Sequence, residues 1–213
     1  MDDLIERNER VILGRELTVN AVFEREGFDV PGDTRLGEVI AVNPPTASPR
    51  GEAPYIDMAS LPTNKSSIRS AGRRQAKGGA RFLNGDALVA RITPCLENGK
   101  AAYVDCLASD EVGVGSTEFL VLRGAAASGR WAYSLTRSGR FRSYAISRMN
   151  GTSGRQRVGA DSIAAYPIAI PGEDALGRFE RIADPAFKTI RALTLEIESL
   201  RTARDDLLPL LMS

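Results

Sequence analysis

The 213-residue chain is 43% hydrophobic and 26% charged, enough apolar material for a sizeable core, which excludes a disordered or collagen-like polymer. It contains no histidine, which removes Ser-His-Asp and Cys-His catalysis and nearly every histidine-bearing metal site. The net charge of +1 hides an asymmetry: residues 1–64 carry six Arg against twelve acids (−6), residues 65–157 carry sixteen Lys and Arg against six acids (+10), and residues 158–213 carry six against nine (−3). A basic centre between acidic ends is expected where the middle meets a polyanion and the ends do something else; the alternative is a folded surface on which the charges interleave.

In chain order, Leu4, Ile5, Val11, Ile12, Leu17, Val22 and Phe23 among charged residues predict an amphipathic helix over 2–26, stopped by Gly27 and Pro31-Gly32. No apolar run of signal-peptide or membrane-spanning length follows the acidic N-terminus, so a soluble protein is expected. Leu36–Asn43 is short and β-compatible, Asn43-Pro44-Pro45 with Pro49 and Gly51 is a loop, and Tyr55–Met58 reads as a strand. Residues 64–79 carry Lys65, Arg69, Arg73, Arg74 and Lys77 with hardly an apolar anchor and read as an exposed loop. Short β-like runs follow at Ala87–Ile92, Ala101–Cys106 and Phe119–Arg123, then mostly helix over Arg130–Arg148, a Gly-rich loop over 149–157, and a strand at Tyr166–Ile170.

The tail is the clearest periodic element. Ala186, Ile190, Leu193, Ile197, Leu200, Leu207 and Leu211 recur at alternating four- and three-residue steps, with Arg204 breaking the series. That heptad seam calls for a coiled-coil partner, which is the N-terminal helix of the same chain, another copy, or a different protein.

Residues that resemble catalytic sets fail on spacing. Asp86, Glu97 and Lys100 mimic a metal nuclease, but Glu97 and Lys100 are three apart, on opposite faces of a strand, and Asn98-Gly99 between them is the strongest hairpin-turn dipeptide. Cys95 has no histidine base, and with Cys106 it makes neither a disulfide framework nor a zinc site, which suits a reduced, cytoplasmic setting. The loop Gly151–Arg157 lacks the lysine and spacing of a nucleotide-binding loop. Its small residues and two arginines fit a phosphodiester backbone, to which they offer main-chain N–H groups and guanidinium forks.

Three segments together resemble the target recognition domain of type I restriction-modification specificity subunits: Gly85–Lys100 (GDALVARITPCLENGK), Gly115–Arg123 (GSTEFLVLR) and Gly151–Val158 (GTSGRQRV). Tyr55–Met58 resembles the early strand of that domain, and Leu4–Asn8 the end of the conserved helical region before it. The resemblance implies a DNA-reading subunit with no active site and no cofactor, working beside methyltransferase and restriction subunits. Family members usually carry two recognition domains separated by paired helices; this chain has one, as in a half-length form or one half of a full subunit.

The expected architecture is α+β: an N-terminal helical region over 1–30, a target recognition domain over 33–172, and a long dimerisation or spacer helix over 175–213. DNA contact is expected from Lys65, Arg69, Arg73, Arg74 and Lys77 in the first loop, from Thr152, Ser153, Arg155 and Arg157 in the second, and from Arg91, Asn98 and Lys100. The expected partners are double-stranded DNA, the methyltransferase and restriction subunits, and a second copy or second half-subunit met through the helices, with no membrane. The competing reading is a non-catalytic scaffold that binds a partner through its coiled-coil helix, its basic face being incidental.

Overall fold

The computed structural model describes residues 1–211 apart from Ser70 and Ser153, with side chains as far as Leu207. Helix α1 (Asp2–Arg25) carries Asp2 and Asp3 in its first turn, where carboxylates meet unsatisfied N–H groups. Gly27, at φ +67°, closes it: the Gly27 N–H donates to Glu24 O at 3.0 Å, the Phe28 N–H reaches Phe23 O at 3.5 Å, and the two Phe rings pack 5.3 Å apart. Next come β1 (Thr34–Arg35), the single turn α2 (Leu36–Val39), β2 (Ile40–Val42), β3 (Glu52–Ile56), β4 (Gly72–Gln75) and β5 (Ala80–Phe82). Then follow β6 (Ala87–Ala90), β7 (Ala101–Tyr103), β8 (Gly113–Gly115) and β9 (Phe119–Gly124). Helices α3 (Gly129–Arg137), α4 (Gly139–Ser147) and α5 (Ala160–Ala164), β10 (Pro167–Ile168) and the long α6 (Glu173–Leu211) complete this α+β chain. No helix among the described residues is long and apolar enough to cross a membrane.

Two four-stranded sheets form the body. The first runs β2-β9-β6-β7, antiparallel throughout, and the second β4-β3-β8-β5, with β3 and β8 parallel; β1 and β10 make a separate pair. The first sheet is buried on both faces, which is why its strands read as continuous apolar runs. Leu120 and Leu122 of β9, Ala87 and Val89 of β6, and Ala101 and Tyr103 of β7 join Val19, Phe23, Trp131, Phe179 and Phe187 of the helices. The alternate residues Phe119, Val121, Leu88 and Ala102 join Ile56 and Phe82 of the second sheet.

Three local readings change. Residues 64–79 are not a free loop: Ser66, Ser67 and Ile68 are buried and 72–75 form β4. Tertiary partners hold the segment: the buried Glu16 carboxylate accepts the Ser66 N–H at 2.6 Å, the Ser67 and Thr194 hydroxyls pair at 2.8 Å, and Ile68 supplies the apolar anchor. The stretch 130–148 is two helices, because the Ser138 hydroxyl accepts the Arg140 and Phe141 N–H groups and starts α4 where α3 stops. Asn98-Gly99 does not make a two-residue hairpin. Gly99, at φ +69°, closes one helical turn, with the Lys100 N–H donating to Cys95 O at 3.0 Å and the Gly99 N–H to Leu96 O at 2.9 Å.

The heptad seam of α6 finds its partner within the chain. Ile190, Leu193, Ile197 and Leu200 pack on Ile5 and Ile12 of α1, and Ala186 packs in the main core. Cross-helix ion pairs fix the antiparallel register: Arg178 with Glu26 at 2.7 Å, Arg201 with Glu9 at 2.8 Å and Arg204 with Asp2 at 2.9 Å. Arg204, which breaks the apolar series, thus holds the tip of α1. Leu207 is 45% exposed, and the side chain of Leu211 lies outside those described.

Candidate nucleic-acid interface

The three motif segments, far apart in sequence, meet at one end of the first sheet. Arg91 follows β6; its N–H donates to Glu118 O at 2.9 Å, and its carbonyl accepts the Val158 N–H at 2.9 Å. The Thr93 N–H donates to Gln156 O at 3.0 Å. The Gly-rich loop is closed at its base, where Asn150 and Arg157 exchange backbone bonds of 3.0 and 2.9 Å. At its tip Thr152, Gly154 and Arg155 are exposed, while Ser153 lies outside the described residues.

Glu118 is the acidic group of this cluster. Its carboxylate takes the fork of Arg157, with Nε at 2.9 Å from both oxygens and Nη2 at 2.6 Å from one. The Arg157 guanidinium holds the Glu118 carboxyl below the usual carboxylate range, and the carboxylate in turn raises Arg157. Arg157 is 42% exposed and forked to an acid, so it is a contact group only if it exchanges partners; Arg155 beside it has no such pairing among the described residues.

Beside this junction a cleft of about 400 Å³ opens between the two sheets. Arg91 and Thr117 line it from the first sheet's end, Gly79 and Arg81 from β5 and the turn before it, and Asn43 to Thr46 from the loop after β2. Lys77 lies exposed two residues before Gly79. Arg81 carried no motif and was not among the sequence candidates; Gly78-Gly79 just before it is the signal that the chain turns there. Thr117 and Glu118 stood inside a motif, but nothing in the spacing tied Glu118 to Arg157.

The remaining candidates lie elsewhere. Arg73 and Arg74 sit on the exposed edge strand β4, Arg73 paired with Glu111 at 2.7 Å and Arg74 stacked 4.3 Å from the Tyr55 ring centre. Lys65 and Arg69 line a groove between the body and the helix pair, with Lys65 4.0 Å from Glu9 and the Arg69 carbonyl accepting from Arg191. Asn98 is exposed on the turn after β6, and Lys100 donates its Nζ proton to Met58 O at 2.7 Å.

Of the residues that mimicked a nuclease, Asp86 and Lys100 are engaged in the fold and Glu97 is exposed. Asp86 is 1% exposed; its two oxygens accept from Arg123 at 2.7 Å each, and one also takes the Leu83 N–H at 2.8 Å. Among the described residues no three candidate ligand side chains gather as they would around a metal ion. Cys95 and Cys106 are free thiols, and burial pushes Cys106 up to about 11, well away from a reactive thiolate.

No protein-family model matches the chain. It is 32% identical over 145 residues to the type I restriction enzyme EcoEI specificity subunit of Escherichia coli, a match covering 64% of this chain and 24% of that protein. It is 38% identical over 97 residues to the EcoAI specificity subunit of the same organism, covering 45% of this chain and 16% of that protein. The chain therefore aligns with about a quarter or less of the length of these curated relatives. Its fold is shared with the crystal structure of a type I restriction-modification system S subunit from M. genitalium, at a TM-score of 0.55 and 12% identity, over 97% of this chain and 54% of that one. The relatives and the shared fold agree with the resemblance carried by the motif segments: the chain is similar to type I restriction-enzyme specificity subunits over part of their length.

Proposed function

We propose that the chain is the DNA-recognition part of a type I restriction-modification system, reading one half of a bipartite target and docking methyltransferase and restriction subunits that carry the chemistry. The observation that supports this best is the convergence of three separated motif segments on one basic junction, beside a cleft lined by two arginines and no carboxylate. Phosphate contact needs such cations on a rigid platform, and base reading needs side chains on loops that reach a groove. Lys77 in the β4–β5 turn and Thr152 and Arg155 in the Gly-rich loop are exposed.

In this reading the α1–α6 pair is the spacer that sets the distance between two half-sites, when a second copy or second half-subunit supplies the other recognition unit. The chain needs no cofactor and has no catalytic role. Selection from random-sequence duplexes, with the chain in complex with its methyltransferase subunit, tests the proposal. Enrichment of one short sequence is the expected outcome. Efficient capture of the subunit with no sequence enriched would instead establish the scaffold reading.

A further inference from the structure

The cleft between the sheets has a character of its own. Its lining includes Arg81 of β5 and Arg91 just after β6, without a carboxylate, and its apolar lining comes from Pro44, Pro45, Ala80, Phe119 and Val121. The Arg91 Nε is buried and has no hydrogen-bond acceptor among the described residues.

The wall formed by residues 43–46 is held rigidly. Asn43, at φ +49°, donates its N–H to Val121 O at 2.7 Å and accepts the Val121 N–H through Oδ1 at 2.8 Å. The Thr46 hydroxyl accepts from Arg123, itself clamped by the buried Asp86, and the Thr46 carbonyl takes only one long bond, 3.4 Å, from Arg81 Nη1. Arg81 is thus positioned and keeps most of its donors for a ligand. Two guanidiniums lining one cleft and an apolar surface beside them match one repeat of a nucleic-acid strand, phosphate on the cations and sugar on the proline and phenylalanine surface.

We infer that this cleft is a backbone subsite that seats one phosphodiester of a DNA strand between Arg81 and Arg91 and so fixes the register in which the neighbouring loops meet the bases. The inference rests on the DNA-recognition reading and adds to it a residue, Arg81, and a ligand group. It is tested on the complex with the methyltransferase subunit by duplex binding across a salt series and by phosphate-ethylation interference. Arg81→Ala is expected to weaken binding about tenfold for any sequence and to lower the salt-dependence slope by about one unit. One ethylation-sensitive phosphate should lose its effect in Arg81→Ala, and the same one in Arg91→Ala.

Arg81→Gln, which keeps the first three side-chain carbons and a polar end without the charge, should show the same loss of slope and guards against a folding artefact. Unchanged affinity, slope and interference in both Arg81 variants would overturn the subsite while leaving DNA recognition standing. Failure of the unmodified complex to bind any duplex would remove the reading beneath it. Displacement of the duplex by millimolar inorganic phosphate at matched ionic strength would show a small-anion site and overturn the strand assignment.

Discussion

The seam between α1 and α6 makes a quantitative prediction. Ile190 is fully buried, against Ile5, Ile12 and Ile197 at 7%, 3% and 6% exposure, so Ile190→Ala removes three carbon atoms from a packed site in one chain. Such truncations cost about 2–5 kcal/mol as transfer and cavity terms add, and a two-helix seam that relaxes on one side puts the expected loss near 3 kcal/mol. Leu207→Ala, at a position 45% exposed, should change stability by less than about 0.5 kcal/mol. Urea unfolding followed by far-ultraviolet circular dichroism at two protein concentrations tenfold apart measures both. A seam closed within the chain gives an Ile190→Ala loss that does not depend on concentration. A seam closed between copies adds about 1.4 kcal/mol per tenfold dilution to the balance of folded and unfolded chains. A loss below about 0.5 kcal/mol, or one that appears only on dilution, would refute the intramolecular pairing.

Two further outcomes follow from the geometry. Burial lifts the Asp105 carboxyl from 3.8 to about 6 despite Arg191 4.0 Å away, so the folded chain binds the proton more tightly than the unfolded one. Its favourable contribution is complete below about pH 4 and is lost as pH rises through 6; Asp105→Asn should abolish a decline of roughly 2 kcal/mol between those limits, read as the difference between variant and parent in urea midpoints across pH. Arg155→Ala should weaken duplex binding and lower the salt slope by about one unit, whereas Arg178→Ala, which breaks only the Glu26 pair between the helices, should leave the slope unchanged in the same fluorescence titration.

How much of this was legible in the sequence depended on how each segment earns its place. Strands β6, β7 and β9 are buried on both faces, so their apolar runs announce them. β4 is Gly-Arg-Arg-Gln, wholly exposed, and nothing local distinguishes it from a loop; its pairing with β3 makes it a strand. β8 is Gly-Val-Gly, where a Cβ on Gly113 would meet the Phe82 ring at 2.1 Å, so close packing and not propensity placed glycine there. Residues 64–68 were hidden because their anchors, Glu16 and Thr194, come from the far helices.

The site was legible where motifs carried it. Arg91 stands in one motif segment and Arg155 and Arg157 in another, and the structure brings those two segments together. Arg81 was invisible because a three-residue strand gives no pattern, and the assignment of Lys65 and Arg69 to the same surface as Lys77 followed from charge alone. The tail periodicity demanded a partner without naming it; α1 supplies complementary isoleucines and acids at matching heights.

The proposal that this chain reads DNA sequence through the junction of Arg91, Glu118 and the loop over 150–157 is tested most directly by nuclease footprinting of its complex with the proposed methyltransferase partner. The account predicts protection of one short sequence per recognition unit, in two inverted copies at fixed spacing when two chains pair, weakened when Arg155 and Arg157 are both replaced by Ala. Equal coverage of every duplex, or protection of one sequence that survives those replacements together with loss of Arg81, would contradict it.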